Sequence, residues 1–101
     1  MQRYVLDRTE QPAVAFTGER IDFEVRRIGP LLFTITGFQV TAPLAGYVLH
    51  VREKSPVHEH ADVWWQKSAE DYSEALRRTL LVAHMFQAAT AAASRGVPVF
   101  N

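Results

Sequence analysis

Residues 68–94 read SAEDYSEALRRTLLVAHMFQAATAAAS, and the architecture turns on them. The residues before them alternate with the period of two that marks strands, whereas this stretch carries one long helical pattern. Ser68 is an N-cap candidate, and Asp71 three residues on makes a shortened capping box. Glu70, Asp71 and Glu74 place negative charge where the helix dipole favours it. Downstream, Arg95-Gly96-Val97-Pro98 closes the helix: Gly96 suits a left-handed cap and Pro98 blocks continuation. Val99-Phe100 is expected to tuck back against the domain.

The predicted helix of about 26 residues is roughly 39 Å long at 1.5 Å per residue. A six-residue strand covers only about 20 Å, so the helix is longer than the sheet it should cover. One stripe comprises Tyr72, Ala75, Leu76, Thr79 and Leu80, continued by Ala83, Phe86 and Thr90. A second comprises Leu81, Val82, Met85, Ala89 and Ala92. No charge interrupts residues 79–94, and a helix that is apolar all round must be buried all round. The expectation is therefore a partner, most simply a second copy of the chain. Small residues such as Ala88, Ala89, Ala92 and Ala93 allow a second helix to approach closely. The competing reading is a sheet that curls around the helix and buries both stripes.

Upstream, Tyr4-Val5-Leu6 is a short apolar run and residues 13–16 a possible short strand closed by Thr17-Gly18. In residues 20–28, Ile21, Phe23 and Val25 alternate with Asp22, Glu24 and Arg26, the pattern of a half-buried strand. Gly29-Pro30 marks a turn. Residues 31–41 form the next strand, in which Phe33 and Ile35 share one face and Phe38 and Val40 the other. A bulge at Gly37 would bring both pairs to one face. Residues 42–46 form a hairpin loop. Residues 47–52 follow as a strand, with Tyr47, Leu49 and Val51 opposite Val48 and His50. Residues 53–56 read as a turn, and residues 57–67 as a last strand. Strands followed by a helix place the chain in the α+β class: an antiparallel meander of four to five strands packed by one long C-terminal helix.

At 101 residues the chain is one domain. With 48% hydrophobic and 22% charged residues it is expected to fold. Its 11 basic and 11 acidic residues cancel, which removes the basic footprint of nucleic-acid binding. It has no cysteine, so disulfides and cysteine-ligated metals are excluded. No stretch reaches the roughly 18 uncharged apolar residues of a membrane span. The N-terminus MQRYVLDRTE has no apolar core after its basic residue, unlike a signal peptide. A cytoplasmic protein is expected.

Chemistry-bearing constellations are sparse. His58, His60 and Asp62 stand at alternate positions, so on a strand they would point one way and could converge on a metal, with His50 as a neighbour. The string superficially resembles the metal motif of the metallo-β-lactamase fold. Val63 stands where that motif needs another His, and the chain is far too short, so the assignment is rejected. The plainer reading is a solvated loop after Pro56, with no cofactor. His84, mid-helix without a nearby carboxylate, reads as a buried or interface side chain. Trp64 and Trp65 should face opposite ways: either one enters the core and the other points outward as an interface anchor or a ligand-stacking platform, or both simply pack, one under the helix and one against a loop. Arg20, Arg26 and Arg27 are explained by cross-strand pairing with Asp22 and Glu24 and by solvation, with a phosphate site as the alternative. Phosphate-loop and nucleophile-elbow patterns are absent.

The leading expectation is a small non-enzymatic protein-protein interaction module, regulatory or inhibitory, acting as a homodimer. Its expected interface is Leu81, Val82, Met85, Ala88, Ala89, Ala92 and Trp64. The alternative is a small-molecule or metal-binding protein, a small enzyme included, with its site near His58, His60, Trp64 and Trp65.

Overall fold

A computed structural model describes residues 1–94 and the side chains of residues 1–85. In chain order the elements are β1 Gln2–Arg8, β2 Gln11–Ile28, β3 Leu31–Ala42, β4 Gly46–Ser55, β5 His58–Gln66 and α1 Ala69–Ser94. The strands pair antiparallel in the order β1-β2-β3-β4-β5, a meander of five. The α+β class matches the sequence reading. So does the start of α1: Ser68 Oγ accepts the Asp71 amide at 3.1 Å, and the Ser68 carbonyl accepts the Tyr72 amide at 3.0 Å. The closing segment Arg95-Gly96-Val97-Pro98 and Val99-Phe100 lie outside the described residues.

The strand boundaries differ from expectation in three places. The short runs before and after Thr17-Gly18 are one strand of 18 residues. Gly18 does not end it; its bare backbone lies against the Gln39 carbonyl, where any side chain would overlap. The expected bulge at Gly37 is instead in β2. Arg20 pairs with Phe38 and Asp22 with Gly37, so Ile21 is the extra residue, while β3 and β4 run in unbroken register. Phe33 and Ile35 therefore do face oppositely to Phe38 and Val40, and both sets are buried. Finally, β4 continues to Ser55, leaving Pro56-Val57 as the turn. The expected loop at His58 is the first part of β5, paired with residues 53–55.

Two buried faces explain the pattern. On one, Leu6, Phe16, Phe38, Val40 and Val48 form a core with Tyr4, Val14 and Val63 against it. Three aromatic rings fill it: Phe38 lies 4.7 Å from Tyr4 and 5.2 Å from Phe16, centroid to centroid. The sheet curls over this core until β1 meets β5. There the Thr9 amide donates to the Ala61 carbonyl and the Ala61 amide to Thr9 Oγ1, both at 2.7 Å. The result is a half-barrel. The opposite face carries α1. Tyr72 packs with Ile35, Leu49 and Val51, flanked by Ala75, Leu76 and Leu80. Farther along, Ala83 packs with Ile28 and Phe33. Because β4 is covered on both faces, Val48, Leu49, His50 and Val51 are buried in succession and the strand shows no polar alternation there.

Candidate functional site

The helix stripe predicted to meet the sheet does so through Tyr72, Ala75, Leu76, Leu80 and Ala83, whereas the side chains of Phe86 and Thr90 lie outside the described ones; the second stripe is exposed as far as Met85. Leu81, Val82 and Met85 are 56%, 50% and 61% exposed. Aliphatic side chains at that exposure gain nothing from solvent and present apolar area to a partner. The sheet curls away from α1 rather than around it, so among the described residues the second stripe stays half exposed or more up to Met85. His84 is likewise exposed in the single chain rather than buried. Ala88, Ala89 and Ala92 continue the stripe by sequence spacing; their side chains lie outside the described ones.

Beside this stripe, between α1 and the sheet, runs an apolar groove of about 330 Å³. Phe33 and Val51 contribute from β3 and β4, Trp64 from β5, and Thr79, Val82 and Ala83 from α1. Its charged lining residues are Glu53 and Arg78. Trp64 is held by its own strand: the indole Nε1–H donates to Asp62 Oδ2 at 3.1 Å, and Asp62 Oδ1 accepts the Val63 amide at 2.8 Å. Both carboxylate oxygens of Asp62 thus orient Trp64 and the local backbone.

The two tryptophans do face opposite ways, but neither enters the core; they are 40% and 41% exposed. Trp65 lies over Gly46, where an added Cβ would come within 2.7 Å of its ring. It lines a second apolar cleft of about 280 Å³ with Phe16, Pro43 and Leu44, on the half-barrel side.

The histidines do not form one constellation. His58 and His60 share a face and stack in parallel, with ring centroids 6.4 Å apart. His58 Nε2 lies 3.8 Å from Glu53 Oε2. His50 belongs to the other face: it pairs with Val63 and is only 7% exposed. Its Nε2 is 3.0 Å from the Asp7 carbonyl, which assigns the ring proton to that nitrogen. Burial lowers the His50 pKa below its ordinary value, opposed by that hydrogen bond. Among the described residues, no group of three His, Cys, Asp or Glu side chains is placed to hold a metal ion.

Arg26 pairs with Glu24 on its own strand at 2.7 Å rather than across strands. The Arg20 guanidinium lies 5.4 Å from the centre of the Phe23 ring. Sequence reading missed the groove because its lining comes from four separate elements. Phe33 and Val51 were visible as one face of their strands, but nothing local says that this face meets Trp64. No family model, curated protein or solved structure matches this chain. Among the described residues no helix is long and apolar enough to cross a membrane.

Proposed function

We propose that this chain is a small non-enzymatic protein-protein interaction module of the cytoplasm that acts as a homodimer and regulates or inhibits another protein. The supporting observation is the open stripe Leu81, Val82 and Met85 beside Trp64, on a helix whose other stripe is already used by the sheet. Met85 and the exposed Trp64 are of the types enriched at interfaces, and Leu81 and Val82 add apolar area beside them. Continuation of the stripe through Ala88, Ala89 and Ala92 supplies small residues that let two helices approach.

Light scattering on the wild type and on Met85→Glu tests the self-association. A buried glutamate at a helix-helix contact would be unpaired and costly, so the substitution is expected to break this contact and lower the particle mass while leaving the circular dichroism unchanged. An unaltered mass would end this reading.

The groove favours a second reading, binding of a small apolar molecule against Trp64. Its test is the emission of Trp64 in a Trp65→Phe background titrated with an apolar dye. Competition by the dye with self-association would place both at one surface; no emission change would remove the second reading.

A further inference from the structure

β1 accompanies β2 only as far as Gly18, which pairs with Gln2. Beyond it, residues 19–28 of β2 have β3 on one side and no strand on the other among the described residues. Past the bulge at Ile21, residues 22–28 of this open edge contain neither proline nor lysine, and their charges are of mixed sign. Three apolar side chains stand exposed along it, Ile21 at 40%, Phe23 at 55% and Val25 at 44%.

The hairpin determines which backbone groups face outward. Ile28 pairs with Leu31 across Gly29-Pro30, and Gly29 has φ 57°. Residues flanking a two-residue hairpin turn exchange both of their backbone hydrogen bonds. By alternation, Arg26 and Glu24 turn their backbone groups toward β3, and Arg27, Val25 and Phe23 turn theirs outward. The Arg26 guanidinium donates to the Val25 carbonyl at 3.2 Å, as an outward carbonyl permits.

We propose that a second copy of the chain adds to this edge, antiparallel, about a twofold axis at Val25, joining the two sheets into one. In that register the outward residues pair Val25 with Val25 and Phe23 with Arg27, each able to exchange backbone hydrogen bonds. The intervening pairs set Glu24 opposite Arg26 twice, at the positions where antiparallel side chains come closest. Arg27 against Phe23 is a cation–π contact, of the kind Arg20 already makes with that ring. Neighbouring registers are disfavoured by charge. An axis at Glu24 or at Arg26 opposes like charges directly, and an axis at Phe23 opposes Asp22 to Glu24. The charge order of the edge therefore selects one occupant, the same edge of another copy.

This interface is separate from the helix stripe and does not rest on it. The test is run in the Met85→Glu background, so that any remaining association is read apart from the helix. With both contacts intact, helix-paired homodimers join through their edges into a particle of more than two chains, and the Met85→Glu chain is expected to have twice the monomer mass by light scattering. Adding Arg26→Glu, or separately Glu24→Arg, is expected to yield monomers, because each sets like charges opposite one another. Mixing those two monomers is expected to restore the doubled mass, since positions 24 and 26 are then both basic in one chain and both acidic in the other. Val25→Pro removes an outward N–H without touching the β3 ladder, and it too is expected to give a folded monomer by circular dichroism. A monomeric Met85→Glu chain, a Val25→Pro chain that stays associated, or a mixture that fails to reassociate would each overturn the proposal.

Discussion

The Tyr72 hydroxyl donates a 2.5 Å hydrogen bond to the Asp22 carboxylate over the bare backbone of Gly37. Asp22 and Gly37 are cross-strand partners, so the glycine leaves the space through which the first full turn of α1 grips β2. Burial, with help from Asp22, raises the Tyr72 pKa above the ordinary tyrosine value, so the group stays a donor.

Removing the hydroxyl by Tyr72→Phe is expected to cost about 1.5 kcal/mol, the lower range for a hydrogen bond to a charged acceptor. Gly37→Ala should cost more, because its methyl would overlap the Tyr72 hydroxyl and displace the ring from Tyr47 as well, whose ring centre lies 5.3 Å away. Urea denaturation of the two variants checks the order; an alanine tolerated better than the phenylalanine would contradict this packing.

Gly18→Ala is the second expected disruption. The methyl would meet the backbone of Gln39 and Val40, which cannot rotate aside. The penalty should lie near the top of the roughly 1–3 kcal/mol usual for overpacking. A thermal midpoint within error of wild type would mean that β2 and β3 part at this point.

Burial of β4 on both faces predicts that neighbouring truncations are both costly. Leu49→Ala opens the helix side and should lose about 2–5 kcal/mol. Val48→Ala opens the half-barrel side, losing two methyl groups and about 2 kcal/mol. If one of the pair proved neutral by denaturant titration, its face would be solvated.

His50 sets a pH dependence. Its folded pKa lies below 6.5, with burial as the leading cause. Between that lowered value and 6.5 the unfolded chain binds more protons than the folded one, so stability rises with pH there. The His50 contribution is complete above 6.5 and is lost as pH falls through the folded value. His50→Gln, which keeps a donor for the Asp7 carbonyl, should flatten the midpoint-versus-pH curve in this window. An identical curve for the variant would assign the acid sensitivity elsewhere.

Much of this was readable in the residues. Ser68 and Asp71 announced the start of α1, and Tyr72, Ala75, Leu76 and Leu80 announced the stripe that packs. The apolar run of residues 47–51 marked β4 as a strand. Ile21, Phe23 and Val25 alternate as cleanly as any strand, and yet all three are exposed. The alternation states only that one face is apolar. Whether a neighbour covers that face depends on β1, which stops pairing at Gly18.

Local pattern was enough for the α+β class, the single long helix and the two candidate stripes upon it, because periodicity and capping act over a few residues. Contacts across the fold settled which stripe is used, that β4 is buried on both faces, and that the extra residue is Ile21 rather than Gly37. They also put His50 and the His58–His60 pair on opposite faces. Each of these depends on strand register and on the closure of β1 onto β5, and register is set by contacts between segments far apart in the chain.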